Sequence, residues 1–283
     1  LVRGWRVRAS PGRASPGGTA AAGECAGTGW SRSPCYRAPV DAPTIQAPLP
    51  VSGRGPGALT ATWLGRVDYR AAYALQRDLV AQRATGRIGD RLLLLEHPPV
   101  LTLGRNSDPT HVLATPTELA ARAMEVVRTE RGGEVTYHGP GQLVAYPIVH
   151  LHQRGLLVRP FVRALESALV ATCAAHGVVA ARRDGHPGCW CDPDGPTPRK
   201  IGALGLRIER GVSYHGIALN VNVDLADFEL IDACGMPGVV STSIARERGD
   251  DDMRPSTSAV EGAAWSFARA FADSIGAPLA IEA

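Results

Sequence analysis

The chain has 283 residues, a formal net charge of +3, 45% apolar residues and 20% charged ones. That is an ordinary globular balance, with room for one large domain and a tail. No apolar run approaches the roughly 20 residues that cross a bilayer, which argues against a membrane role. The net positive charge belongs to residues 1–58, which hold seven Arg against Glu24 and Asp41. The remainder shows no basic stripe for nucleic acid.

Residues 1–58 are rich in Gly, Pro, Ala, Ser and Arg and have no apolar period. Such a segment buries too little surface to offset its ordering entropy, so a disordered extension is expected there. Its Arg-rich, acid-poor composition also resembles an organelle transit peptide. An over-extended reading frame is the better explanation, since the chain opens on Leu1 and its first Met is Met124. The folded domain is expected over residues 59–283.

Asp68 opens a helical pattern with Tyr69, Ala72, Tyr73, Leu79 and Val80 on one face. Leu92–Glu96 reads as a buried strand stopped by His97, Pro98 and Pro99, and Val100–Leu103 as another. Thr115, Pro116 and Glu118 form a capping box for a short helix. Met124–Thr129, the polar-aromatic stretch before His138, and Gln142–Val149 read as strands. An amphipathic helix follows from Pro160 to His176, closed by Gly177. Three strand-like runs come next, Cys189–Asp192, Ile201–Glu209 and Val212–Val221, with Arg210-Gly211 turning a hairpin between the last two. A last helix runs from about Ser256 to Ile275. Hairpins with interspersed helices predict an α+β fold with a mixed β-sheet packed with helices.

Two features of residue usage point to chemistry. Lys200 is the only lysine among thirty basic residues; the others are Arg. Arg serves wherever a fixed charge suffices but cannot give up its proton, so a surviving lysine suggests a need for an amine, unless it survived by chance. The six cysteines, Cys25, Cys35, Cys173, Cys189, Cys191 and Cys234, show no paired metal-ligand spacing. They read as free thiols in a reducing, cytoplasmic setting. Cys189 and Cys191 alternate on a strand and are expected to face one side of the core. A zinc site drawing on His186, Cys173 and His176 is the less favoured alternative.

Four segments are dense in functional residue types. Arg131-Gly132-Gly133-Glu134-Val135-Thr136-Tyr137-His138 is bracketed by Gly pairs that allow close backbone approach. Arg131 could hold an anion and His138 could shuttle a proton, although a tight hairpin explains the same pattern. Lys200 to Arg207 and Val212 to Asn222 carry Gly202, Ala203, Gly205, Gly216 and Ala218. These leave space on an apolar sheet face for a linear acyl chain, or for a closely crossing helix. Cys234 ends a short helical pattern before Gly235. A neighbouring positive charge would favour its thiolate, though a Cys before Gly is commonly just a small buried residue.

Taken together, these motifs resemble the lipoyl(octanoyl) transferase family. The run from Leu95 to Arg105, the Arg-Gly-Gly and Thr-Tyr-His-Gly-Pro-Gly run, Lys-Ile-Gly-Ala-Leu-Gly, His-Gly-Ile-Ala-Leu-Asn and Ala-Cys-Gly-Met fall in family order over about residues 59–245. The resemblance implies a catalytic domain like that of biotin and lipoate protein ligases. It implies transfer of an octanoyl group from octanoyl-acyl carrier protein to a lysine of lipoyl domains, in 2-oxoacid dehydrogenase E2 subunits and the glycine cleavage H protein. Cys234 falls on the nucleophile that carries the acyl thioester, and Lys200 on the residue that activates it. Acyl-substrate contacts fall on Arg131, Gly132, Gly133, Glu134, Val135, Thr136, Tyr137 and His138, on Ala203, Leu204 and Gly205, and on Gly216, Ile217 and Ala218. No cofactor, ATP or metal is expected, nor any nucleic-acid or membrane partner, and the chain is expected to be a monomer. The alternatives are an ATP-dependent lipoate or biotin protein ligase, or a non-catalytic binder of acyl carrier protein or lipoyl domains. Cys189-Trp190-Cys191 and the inserted loop Asp192–Pro198 depart from the family pattern.

Overall fold

The computed structural model describes residues 57–233, 238–250 and 254–282. The expected extension therefore lies, through residue 56, outside the described residues, and so does Cys234. Gly57, the first described residue, accepts a hydrogen bond through its carbonyl from Arg154 Nη2 at 2.7 Å.

The elements are β1 (Leu59–Arg66), α1 (Tyr69–Ala84), β2 (Arg91–Glu96), β3 (Val100–Leu103), α2 (Pro116–Ala121), β4 (Glu125–Arg128), β5 (Val135–His138), β6 (Gln142–Ile148), α3 (Val158–Ala175), β7 (Ala181–Arg183), β8 (His186–Cys191), β9 (Arg199–Glu209), β10 (Val212–Asn220), β11 (Val240–Ser241), α4 (Ile244–Arg248), α5 (Thr257–Ser274) and β12 (Leu279–Glu282). The starts expected for α1 and α2 hold, while α3 begins two residues before the expected Pro160. Asp68 caps α1 by accepting from the Arg70 and Ala71 amides, and both halves of the Thr115–Glu118 capping box form at α2.

Among the described residues the main sheet has nine strands in the order β12-β1-β2-β6-β10-β9-β8-β7, with β11 beside β9. The β12-β1-β2 edge is parallel, and the pairs from β2 to β7 are antiparallel. A second sheet, β4-β3-β5, is also mixed. The fold is α+β, as expected.

The main sheet separates two cores. Leu92 and Leu94 of β2 face α3 and α5, among Phe161, Leu165, Leu169, Phe267 and Phe271. Leu93 and Leu95 face α1, among Ala72, Leu79 and Val80. Burial on both faces explains why β2 reads as a continuous apolar run rather than an alternation. Full burial of one such leucine stabilises the fold by about 1.5–3 kcal/mol. Ala164 and Ala168 of α3 share the first core with Ala263, Ala264, Ala268 and Ala272 of α5. Such small side chains let two helices pack closely on one sheet face. The small sheet carries Leu101, Leu103, Val135 and Tyr137 into a third core with Val223, Leu230 and Ile231. No helix among the described residues is long and apolar enough to cross a membrane.

Two glycines fix the join between β6, β9, β10 and the segment before β5. A Cβ on Gly216 would sit 1.9 Å from the Ala145 carbonyl oxygen, and one on Gly205 would sit 2.8 Å from the Gly132 oxygen. Real Cβ atoms do not approach so closely, so the absence of a side chain is what permits both crossings.

Candidate active site

The β9–β10 hairpin and the Arg131–His138 segment enclose a cavity of about 650 Å³, within the usual range for ligand sites. Of the residues expected to contact an acyl substrate, all but Tyr137 line it. Tyr137 does not: it is 1% exposed within the third core, with its ring 5.4 Å from that of Phe228.

Lys200 stands in the cavity wall at 9% exposure. It pairs across the strands with Trp190, and its Nζ lies 5.1 Å from the Trp190 ring centroid, a cation–π contact. Trp190 is itself fixed, its Nε1–H donating to the His186 carbonyl at 3.0 Å. Gly188 makes room for the lysine stem, since a Cβ there would be 3.1 Å from Lys200 Cε and 2.5 Å from the Gly202 oxygen. Cys189 and Cys191, on either side of Trp190, face the α3–α5 core as expected, with Cys173 close by. The hydrogen bond with Cys173 and burial push the Cys189 thiol far up, and burial beside Glu247 pushes Cys191 up to about 12.

Arg131 lines the cavity but spends its guanidinium on bracing. Nε donates to Thr102 Oγ1 at 3.2 Å, Nη1 to the Gly132 oxygen at 3.1 Å and Nη2 to the Thr102 oxygen at 2.6 Å. It therefore ties the Gly-Gly turn to β3, and the Gly132 amide ties the same turn to the Leu206 oxygen of β9 at 2.9 Å.

His138 starts a hydrogen-bond relay. Its Nδ1 meets Gln142 Oε1 at 2.7 Å, Gln142 Nε2 donates to Asn220 Oδ1 at 2.9 Å, and Asn220 Nδ2 donates to the Thr242 oxygen at 2.8 Å. The Thr242 amide then donates to the Lys200 carbonyl at 3.0 Å. Burial, with His97 and Arg131 nearby, holds His138 well below the usual imidazole range, so it is neutral at physiological pH. His97 is pushed down to about 4 by burial, against a hydrogen bond to the Val67 carbonyl that favours its charged form. Its other nitrogen meets the Tyr146 hydroxyl at 2.8 Å.

Tyr69, Tyr146, Glu130 and His215 also line the cavity and were not singled out from the sequence as site residues. Period-2 reading of β6 gives Tyr146 a defined face, but nothing local says that this face reaches a cavity. Burial raises Glu130, but hydrogen bonds from Tyr73 (2.6 Å) and Tyr214 (2.8 Å) outweigh it and hold the carboxyl below its usual range. The wall thus carries the small residues Ala203, Gly205, Gly216 and Ala218 along β9–β10, a neutral imidazole at His138 and one amine at Lys200. Such a slot suits a linear apolar chain ending at a reacting group.

Residues 68–252 match the model of the lipoyl protein ligase A/B catalytic domain. An octanoyltransferase from Chloroflexus aggregans is 50% identical over 192 residues, covering 68% of this chain and 86% of the relative. The chain belongs to the octanoyltransferase family. Within that family, an octanoyltransferase from Acidobacterium capsulatum is 48% identical over 216 residues, covering 74% of this chain and 88% of that one. Among solved structures, P. falciparum LipL1 in complex with lipoate aligns with a TM-score of 0.56 at 10% identity, covering 80% of this chain and 66% of that one. A T. acidophilum protein with bound lipoic acid aligns at 0.53 and 16% identity, covering 80% and 89%. At such identities the likeness is one of fold.

Proposed function

We propose that this protein transfers an octanoyl group from octanoyl-acyl carrier protein to the target lysine of lipoyl domains, through a thioester on Cys234. It is a transferase of the lipoyl(octanoyl) transferase type. The observation that carries the mechanism is Lys200, the chain's sole lysine, set in the wall of a cavity lined by small residues.

In the first half-reaction the Cys234 thiol gives its proton to the Lys200 amine, and the thiolate attacks the acyl carbonyl carbon. The carbonyl electrons move to oxygen and return as the carrier thiolate leaves, taking the proton back from Lys200 and leaving that amine neutral. In the second, the incoming lysine amine attacks the Cys234 thioester and loses a proton to Lys200, and Cys234 departs as a thiolate that takes this proton up. Thioester exchange is nearly balanced and amide formation runs downhill, so no ATP enters. The acceptors would be lipoyl domains of 2-oxoacid dehydrogenase E2 subunits and the glycine cleavage H protein, and the enzyme would act as a monomer in the cytoplasm.

Intact mass after incubation with octanoyl-acyl carrier protein tests this reading. One added octanoyl group, absent in Cys234→Ser and discharged by a lipoyl domain, is the expected result. Modification of the lipoyl domain by free octanoate and ATP, with none from the carrier thioester, would overturn it in favour of a ligase.

A further inference from the structure

Trp190 is the largest fully buried side chain among the described residues. Rings of that size usually anchor a core, yet Trp190 belongs to none of the apolar clusters that make up the cores. Cys189 and Cys191 face α3 and α5, so strand alternation turns Trp190 to the other side of β8. Nor does it line the cavity. It meets two cations instead: Lys200 Nζ lies 5.1 Å from the ring centroid and Arg183 Cζ 5.2 Å. The His186 ring adds an edge contact at 6.1 Å, and the Nε1–H bond to the His186 carbonyl fixes the plane of the indole.

The proton transfers give this arrangement a role. In each half-reaction a proton passes through Lys200 Nζ, so positive charge develops on a residue that is 9% exposed. Charge formed away from water is costly unless a group already in place meets it. The face of an indole is such a group, because its quadrupole attracts a cation and needs no reorientation when the charge appears. Arg183 is charged throughout. Of the two cations, only Lys200 therefore makes the attraction depend on the stage of the reaction.

We propose that Trp190 is a positioning residue for acyl transfer: its indole face seats Lys200 Nζ and stabilises the ammonium that forms there in each half-reaction. This rests on the acyl-transfer reading above. Trp190 acts through Lys200 and not on the substrate, since it stands outside the cavity lining. Weakening the ring's attraction slows the proton transfers and leaves acyl binding as it was.

The experiment replaces Trp190 in the full chain with increasingly fluorinated tryptophans, which keep the shape of the indole and its Nε1–H donor while draining the negative face. Single-turnover rates are measured for acylation of Cys234 by octanoyl-acyl carrier protein and for discharge by a lipoyl domain. Both should fall stepwise with fluorination, by about 2- to 30-fold at the end of the series. KM for the carrier thioester and the melting temperature should stay at their wild-type values. Trp190→Leu should lose at least as much, and Trp190→Phe should recover part of the rate. Rates that ignore fluorination overturn the proposal even if Trp190→Leu is slow, because a purely structural indole responds to lost volume and not to lost quadrupole. Should Trp190→Leu not fold, the fluorinated series decides alone. If wild type transfers no octanoyl group at all, the acyl-transfer reading falls, and the role of Trp190 with it.

Discussion

Lys200→Arg keeps a cation over Trp190 while removing the amine that the proposed mechanism uses twice. The Lys200 stem runs between the Trp190 ring, 5.1 Å from Nζ, and the bare backbone of Gly188, where even a Cβ would stand 3.1 Å from Cε. A planar guanidinium is bulkier than an ammonium and must displace that wall, an overpacking cost of about 1–3 kcal/mol. Its own contact with the indole only replaces the one that Lys200 already makes. The net loss is therefore about 1–3 kcal/mol, at roughly 2–4 °C in melting temperature per kcal/mol for a domain of this size. Activity should fall much further. Arg stays protonated, and loss of a general base costs about 10²–10⁴-fold. Two assays separate the half-reactions: single-turnover acylation of Cys234, and discharge of pre-acylated enzyme by a lipoyl domain. Discharge should suffer more, because the incoming amine must lose a proton as it attacks. Transfer within a few-fold of wild type would show that Lys200 supplies charge alone.

Stability should fall as pH drops below the range where unfolded histidines titrate. His97 and His215 are held at about 4 and His138 well below its usual value, all mainly by burial, so below about pH 6.5 the unfolded chain binds protons that the folded chain does not. Their neutral burial is fully tolerated above that range and is penalised progressively toward pH 4, by ~2 kcal/mol for each of His97 and His215 at pH 5. Melting curves from pH 7.5 to 5 would check this, and a flat profile would count against it. The double change Cys189→Val with Cys191→Val should cost less than about 1.5 kcal/mol, as a volume-conserving swap in the α3–α5 core. With both thiols held up, neither should react with iodoacetamide in folded protein at pH 8; rapid labelling or a large loss of melting temperature would contradict this.

The hairpin, the capped helices and the fully buried β2 were legible because their signals are local: alternation, capping residues and a Gly-containing turn. β1 and β12 were not. They pair with each other in parallel across most of the chain, Leu59 with Leu279, and no short window holds that information. β7, three residues long, carries no readable period. In the site, the motifs led to the cavity-lining residues but not to the role of Arg131, which depends on a brace to Thr102 in another strand. Trp190 stood out from the sequence only as a departure between two cysteines. Its role under Lys200 depends on the bulged β8–β9 register, which sets Trp190 opposite Lys200. His215 read as an ordinary strand residue, because a left-handed backbone in mid-strand leaves no mark on sequence periodicity.

The relay from His138 has a direction. Gln142 offers Oε1 to His138 and Nε2 to Asn220, Asn220 offers Nδ2 to the Thr242 carbonyl, and the Thr242 amide faces the Lys200 carbonyl. Every proton therefore points the same way, from the small sheet toward the Lys200 peptide. That order requires the His138 proton to sit on Nδ1 and leaves Nε2 a bare lone pair beside the Thr102 hydroxyl, 3.5 Å away. Inverting any one amide would set donor against donor on one side and acceptor against acceptor on the other. The links thus polarise and align as a set. The orientation of one imidazole on the small sheet is consequently tied, through two side-chain amides, to the backbone that joins β11 to the strand carrying Lys200.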